Sequence, residues 1–432
     1  NEAENTDHTW AEINSYSVYD YEYMQVPRYQ TAALLQVGDE NGPLLSEVGY
    51  GETVPNATVQ IRGQTSSRNA QKNYKIKLKK NKGTWRGQRT IALNKHQGDG
   101  LRFRNKMAYD LIRGIPQMVG LRTQFVHLYV KDLTQADSGA FVDYGLYTQV
   151  EQPNKAFLKN HWLDPYGELY KAIMFEFLSY PDELKSQDDP DYDKVAFESL
   201  LEIRGREDHT KLLAMLADVN NKSIPIDEVV EKHFDLDNYL TWMASNILMD
   251  NMDTNTQNFL LYSPLNSENW YFLPWDYDGA WELPRSSREN IATYNNGISN
   301  YWGAELHNRF FRSEKNVKLL ENKIHELHDQ YINSGTVSEL VNKYMPITRK
   351  FAEQEPDRNF FPTRISEMPA NAKTLSEVPE RSIERFEEDI QTPKPFFLND
   401  IQQKETGVFF SWGNSFDLQG DDLTYTFTIA RD

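Results

Sequence analysis

Two apolar periods divide this chain near residue 151, and together they restrict it to a mixed α and β fold. From about Tyr19 to Val150 apolar residues recur at every second position: Val59 and Ile61 alternate with Thr58, Gln60 and Arg62, and Tyr74, Ile76 and Leu78 alternate with Lys75, Lys77 and Lys79. A two-residue period turns one face of a strand inward and the other to solvent. One helical pattern interrupts the strands, with Phe103, Met107, Ala108, Leu111 and Ile112 at three- and four-residue spacing before Gly114 and Pro116. Strands are then predicted over Phe125 to Val130 and Tyr144 to Val150, giving the order strand, strand, helix, strand, strand.

After Glu151 the period becomes helical. Helices are predicted around Phe197 to Ile203, Thr210 to Ala217, Ile226 to His233, Leu236 to Met249 (with Asp235 as N-cap), Lys315 to Tyr331 and Val337 to Gln354. Two short strand-like runs, Asn258 to Tyr262 and Trp270 to Trp275, flank a Ser-Pro-Leu-Asn-Ser-Glu-Asn turn and read as a hairpin within this helical part. Prolines 362, 369, 379, 393 and 395 mark 361–395 as a connector with one helix, Glu380 to Ile390. The tail alternates again, through Val408, Phe410 and Trp412 and then Leu423, Tyr425, Phe427 and Ile429, and resembles the first strands of a fibronectin-type or cadherin-like sandwich. The expected organisation is an α+β domain over 19–360, with a β-rich lobe at about 19–151 and a mostly α lobe at about 152–360. A linker (361–395) and a partial β segment (396–432) follow.

Composition narrows the partners. Sixty-four Asp and Glu outweigh 46 Lys and Arg, for a net charge of −18, which disfavours nucleic acid and anionic lipid surfaces. No apolar run is long enough to span a bilayer. Cysteine is absent, so disulfides, thiolate metal sites and cysteine nucleophiles are excluded, and an oxidising location such as a cell surface or spore is expected. Position 1 is Asn rather than Met, so no signal peptide is expected within these residues.

The chemistry concentrates in "DNMDTNTQNFLLYSPLNSENWYFLPWDYDGAW", Asp250 to Trp281. Asp253 closes a helix, Asn258 follows five residues later at the start of a strand, and Asp276 stands just past the hairpin. Phosphoryl transfer needs one carboxylate to accept or orient the attacking hydroxyl and oxygen ligands to hold hard metal ions against nucleotide phosphates. Asp253 suits the first role, Asn258 and Asp276 the second, and Asp278 is a further ligand candidate. The spacing alone is unspecific, because Asp and Asn cap helices and fill turns everywhere; its weight comes from the helix before it and the acidic turn closing the hairpin. A calcium loop fits poorly, since its sixth position would be Asn258 rather than Gly and its twelfth Pro264 rather than Glu.

A second constellation, "IRGQTSSRNAQKNYKIKLKK", runs from Ile61 to Lys80. Backbone amides, hydroxyls and cations of this strand–turn–strand would converge on anionic oxygens. Lys75 and Lys77 share one strand face, so spacing does not choose between them. There is no GxxxxGK[ST] loop, complete GxGxxG or HExxH. Trp270, Trp275 and Trp281 offer a sugar-stacking reading, but at strand positions such residues are more often core.

In their order, "IRGQTSS…KNYKIKL", "GLYTQVEQ", "GELYKA", "DTNTQN" and "LPWDYDGAW" resemble the CotH family of spore-coat and secreted protein kinases, clearly over about residues 50–281. The resemblance implies an atypical two-lobed kinase fold, ATP with Mg²⁺ or Mn²⁺, and phosphorylation of Ser or Thr in spore-coat or extracellular proteins and in the chain itself. It implies Asp253 as catalytic base and Asn258 and Asp276 as metal ligands. It puts Arg62, Ser66, Ser67, Lys72, Lys75 and Lys77 in the phosphate-binding strands, with Glu151 near the adenine and Lys171 beyond it. Asp110 is the nearest helix carboxylate to pair with a strand lysine. Two other readings are a kinase-like scaffold of the spore coat or cell surface that has lost catalysis, and an extracellular glycan-binding protein.

Overall fold

A computed structural model describes residues 6–135, 139–287 and 293–430. The chain divides into two units. The first comprises 1–114, 119–165 and 338–374; the second comprises 115–118, 166–337 and 375–432. The boundary expected at 151 therefore falls at 165, and the first unit takes back a late segment of the chain.

The first unit opens with two short helices, α1 (Trp10–Ser15) and α2 (Val18–Met24), each started by a capping box from Thr9 or Ser17. Its main sheet is antiparallel and six-stranded, in the order β1 (Thr31–Ala33), β4 (Ala57–Arg62), β5 (Asn73–Leu78), β6 (Thr90–Asn94), β8 (Val142–Val150), β7 (Thr123–Val130). A two-stranded ribbon, β2 (Gly38–Asp39) with β3 (Gly42–Pro43), stands apart. The expected alternation is realised: Val59, Ile61, Tyr74, Ile76, Leu78, Ile91, Leu93 and Tyr147 form one apolar face, covered by Ile13 of α1 and Tyr21 of α2. β6 has no counterpart in the sequence expectation, because Thr90–Asn94 is buried along nearly its whole length and a short unbroken buried run carries no period.

The opposite face carries Lys75, in a row whose middle positions are the buried Ala92 and Val150. Lys75 pairs with Gln60 and Ala92, Ala92 with Val150, and Val150 with Thr123. Helix α3 (Arg104–Ile112) lies against Thr123, to which Lys106 Nζ donates (3.2 Å to Oγ1). A short helix, α4 (Lys155–Asn160), follows the sheet.

In the second unit α5 (Lys194–Leu200) stops short of the predicted end, and β10 (Leu201–Ile203) pairs instead with β9 (Glu168–Ala172). The predicted hairpin forms as β11 (Phe259–Ser263) with β12 (Tyr271–Pro274), and β11 also pairs with β9. The result is a four-stranded antiparallel sheet ordered β10-β9-β11-β12. Helices α6 (Thr210–Asn220), α7 (Ile226–His233) and α8 (Leu236–Leu248) follow their predicted spans closely. Asp235 caps α8 by accepting from Asn238 N at 2.9 Å. Asn238 then clamps α8 to β12, its Oδ1 accepting from Phe272 N (2.7 Å) and its Nδ2 donating to Phe272 O (3.2 Å). Trp242 stacks on Phe272 with ring centroids 4.5 Å apart. Trp270, Trp275 and Trp281 are all buried, so none presents a sugar platform.

Beyond α9 (Leu283–Ser287), α10 (Glu305–Phe310) and α11 (Glu314–Gln330), α12 (Ser334–Ala352) returns to the first unit. The 361–395 stretch is less of a linker than expected. It holds α13 (Met368–Leu375) and α14 (Val378–Ile390), and α14 buries Val378, Ser382, Phe386 and Asp389. Pro379 sits in its first turn, where the missing N–H costs nothing. The tail forms one small hairpin, β13 (Gln402–Lys404) with β14 (Gly407–Phe409). The predicted second strand, Leu423 to Ile429, is irregular, although Phe427 packs on Phe410 and Trp412.

Candidate active site

The second unit assembles its polar cluster where α8 runs out. After Met249 the backbone turns through Asp250 at φ 45° into a single 3₁₀ turn, Met252–Thr254, which carries Asp253. Both carboxylate oxygens of Asp253 are held: Gln257 Nε2 donates to Oδ1 at 2.7 Å and Asn258 Nδ2 to Oδ2 at 2.8 Å. Hydrogen bonds to a charged acceptor are worth about 1.5–3 kcal/mol each, so the carboxylate is fixed in orientation as well as place. Gln257 was not singled out in the sequence; its position four residues after Asp253 is the signal that marks it.

Asn258 leads into β11, and its neighbour Phe259 pairs with Pro274 of β12. One step further along that register sets Asn258 across from Trp275, with Asp276 next in line. Asp276 has φ 57° and ψ 76° and starts the turn Tyr277–Gly279. That turn packs on Asp253, since a Cβ built on Gly279 would lie 3.2 Å from Asp253 Cβ. Trp281 N donates to Met249 O at 2.7 Å and ties the end of the hairpin segment to the end of α8. Asp253, Asn258 and Asp276 are half-buried and Asp278 is exposed. Lys171 belongs to the same sheet: it pairs with Leu260 of β11, and its Nζ lies 5.7 Å from the ring centre of Trp275.

Asn258, Asp276 and Asp250 all occupy the left-handed backbone region, at a cost of about 1–3 kcal/mol each for residues other than glycine. Such strain persists where the side chain is needed at that spot. As a metal site the donors are hard oxygens: Asp276, the amide oxygen of Asn258, whose nitrogen faces Asp253, and Asp278. Among the described residues no three Asp, Glu, His or Cys are close enough to enclose an ion. Two carboxylates and an amide still fit Mg²⁺, which keeps several waters and completes its shell with substrate phosphates.

The first unit places its candidates differently. Arg62 donates to Asn94 Oδ1. Ser66 Oγ accepts from Asn73 Nδ2 at 3.0 Å, and a Cβ on Gly63 (φ 91°) would collide with it. Ser67 is buried, accepting from Val18 N (3.0 Å) and donating to Gln64 O (2.6 Å). Lys72 Nζ donates to Ser67 O at 2.7 Å, and burial lowers its pKa. The turn is thus braced by its own hydroxyls. Lys75, half-buried, and Lys77, exposed, stand on the face opposite the apolar core.

Glu151, expected near the adenine, has its carboxylate committed within the first unit. It is buried, and accepts from Arg122 Nε at 2.9 Å, Arg122 N at 3.1 Å and His161 Nε2 at 2.8 Å. Burial opposes its charge, but the bonds from His161 and Arg122 outweigh that and bring its pKa down to about 2. Asp110 is likewise taken up, by Lys106 Nζ (2.7 Å), Thr123 Oγ1 (3.2 Å) and the Tyr344 hydroxyl. Its row on the sheet is three strands from Lys75, about 14 Å at the usual strand spacing, so the expected pairing with a strand lysine is replaced by one within α3.

Comparison with known proteins agrees with the sequence resemblance. Inner spore coat protein H of Bacillus subtilis (strain 168) is 26% identical over 216 residues, which are 49% of this chain and 54% of that protein. The chain thus matches about half the length of this relative. The crystal structure of the Helicobacter pylori proinflammatory kinase CtkA aligns over 72% of this chain and 94% of its own, at 12% identity and a TM-score of 0.28, a likeness too distant to bear on the site. The family model described as CotH kinase protein matches residues 59–387, a stretch that takes in the whole cationic turn, Glu151, Lys171 and the acidic hairpin, and this chain belongs to that family.

Proposed function

We propose that this chain transfers the γ-phosphoryl group of ATP to a Ser or Thr hydroxyl of a spore-coat or extracellular protein, itself included. The observation that carries the reading is the fixing of Asp253 by Gln257 and Asn258 against the turn that follows Asp276. Asp253 accepts the proton of the attacking hydroxyl as its oxygen bonds to the γ-phosphorus and the bond to the β-phosphate oxygen breaks, releasing ADP. A bound Mg²⁺ or Mn²⁺ would neutralise charge on the phosphates, and Asp276 with Asn258 and Asp278 would hold it. The cations proposed for the phosphates are Lys171, Lys75 and Lys77, with Arg62 and Lys72 at the base of the turn. The spore-coat setting rests on the name of the B. subtilis relative.

Incorporation of labelled γ-phosphate, by the chain and by Asp276→Ala, tests the reading. Removal of the ligand is expected to lower transfer by about 10³-fold or more, with ATP alone inactive and Mg²⁺ or Mn²⁺ restoring turnover. Equal incorporation by the variant would refute it. A wild-type chain that binds ATP without turnover would make it a kinase-like scaffold.

A further inference from the structure

The turn that carries Asp253 is three residues long, Met252–Thr254, and Asp253 itself leaves helical dihedrals at φ −93° and ψ 23°. So short a turn has too few internal bonds to fix its own place. Two neighbouring side chains hold it from outside. Asn300 Nδ2 donates to Met252 O at 3.1 Å, and the Tyr301 hydroxyl lies 2.9 Å from Thr254 Oγ1, both residues of that second pair being buried. The contacts fall on the residues immediately before and after Asp253.

Asn300 and Tyr301 belong to another single turn, Ser299–Tyr301, and its support comes from the last turn of α14 and the residues after it. Ser299 N donates to Asp389 Oδ2 at 3.1 Å. Lys394 Nζ donates to Asp389 Oδ1 at 3.0 Å and to Ser299 Oγ at 3.2 Å. Lys394 and Asp389 are 1% and 5% exposed. Gly297 (φ 43°) leaves room for the carboxylate, since a Cβ there would lie 2.7 Å from Asp389 Oδ2. Lys394 is fixed in turn, its N donating to Phe416 O at 2.7 Å and its O accepting from Ser415 Oγ at 2.6 Å. A buried ion pair adds little net stability over apolar residues of the same volume. It does impose direction, because Asp389 meets Ser299 N and Lys394 together in one orientation. The family match ends at residue 387, so both members of the pair lie beyond it.

We propose that Asp389, oriented by Lys394, is a positioning residue for Asp253 and acts through the Ser299–Tyr301 turn. The segment 389–394 then belongs to the transfer machinery. The proposal takes its catalytic meaning from the kinase reading. A misplacement of about 1 Å at the reacting position costs about 10²-fold in rate, while the side chains proposed for the phosphates lie outside both turns, so the loss falls on kcat.

The test compares the full chain with Asn300→Ala, with Asp389→Leu plus Lys394→Met, and with all three changes together. Labelled γ-phosphate transfer, to the chain itself and to a mixed Ser and Thr peptide library, is followed across ATP concentrations with Mg²⁺, well below each melting temperature. Asn300→Ala and the apolar pair are each expected to lower kcat by about 10- to 10²-fold, with KM for ATP moving less than about twofold. The combined variant should fall no further than the lower of the two, because both changes cut one path. Gly297→Ala, which presses a methyl on the Asp389 carboxylate, reaches the same link without removing the pair and is expected to give the same split. Hydrogen exchange of the amides in 250–258 should quicken by about tenfold in these variants. A kcat within twofold of the unaltered chain, a loss carried by KM, or losses that multiply in the combined variant would overturn the positioning role and leave the kinase reading standing. If the unaltered chain transfers no phosphate, the kinase reading fails and exchange decides: faster exchange at 250–258 upholds the link from Asp389 to the Asp253 turn, and unchanged exchange overturns it.

Discussion

The cationic turn of the first unit and the acidic turn of the second share Asn, Gln, Ser and Thr and differ in carrying Lys and Arg or Asp, but they also bear strain differently. Around Gly63 the left-handed position belongs to glycine, and the hydroxyls of Ser66 and Ser67 close the turn on itself. Around Asp253 the left-handed positions belong to Asp250, Asn258 and Asp276, where glycine would be cheaper. The first arrangement is what a stable turn requires. The second retains side chains at a conformational cost, so the acidic turn is where substitution should separate activity from stability.

The sharpest way to break this comparison is Asp276→Gly. Phosphoryl transfer is expected to fall by about 10³-fold or more, while thermal or urea unfolding shows a gain of up to about 1 kcal/mol from the relaxed backbone. Loss of stability without loss of transfer would reverse the assignment. Next in size is a purely architectural pair in the first unit. Lys95 Nζ, buried, lies 2.6 Å from Asp357 Oδ1 and over the Tyr147 ring, while Asp357 Oδ2 accepts from Leu146 N at 2.8 Å. Desolvation brings the Lys95 pKa down to about 8 despite the partner. Asp357→Ala strands that cation and is expected to cost about 3–5 kcal/mol, measured by urea unfolding at pH 7, whereas Lys95→Met with Asp357→Leu should recover much of the loss.

Two smaller effects follow from carboxylates pushed in opposite directions. Glu151 drops from 4.5 to about 2 on folding, so the unfolded chain holds the extra proton between those values; the stabilisation is complete above about pH 4.5 and is lost as pH falls through 2. Glu151→Gln should remove up to about 3 kcal/mol at neutral pH and flatten that acid limb. Glu168 is buried with Oε2 unpartnered, and burial raises it from 4.5 to about 7 against the pull of Lys211. Here the folded state holds the extra proton, so stability declines as pH rises from 4.5 through 7. Glu168→Gln is expected to gain about 1–3 kcal/mol at pH 8 and nothing below pH 4, read from melting curves across that range.

Legibility followed period and distance. Val59, Ile61, Tyr74, Ile76 and Leu78 were readable because half-buried strands alternate, and the β11–β12 hairpin because its turn is rich in Ser, Asn and Pro. β9 and β10 were not, since Glu168–Ala172 is too short and buried to show a period and Leu201–Ile203 continues a helix-like run. α13 and α14 were hidden by prolines that begin helices as readily as they end them. Within the site, Asp253 and Asn258 were legible as a local spacing that the fold turns into a hydrogen bond. The commitment of Glu151 was not, because Arg122 and His161 meet it only once β7 pairs with β8 and α4 folds back.

Asp357 also sets an order of events during synthesis. It neutralises Lys95 from a segment that leaves the ribosome only after residues 166–337, all of which belong to the other unit. The nascent sheet must therefore wait with an uncompensated lysine while most of the second unit is translated, and closes its charge only when 338–374 has emerged.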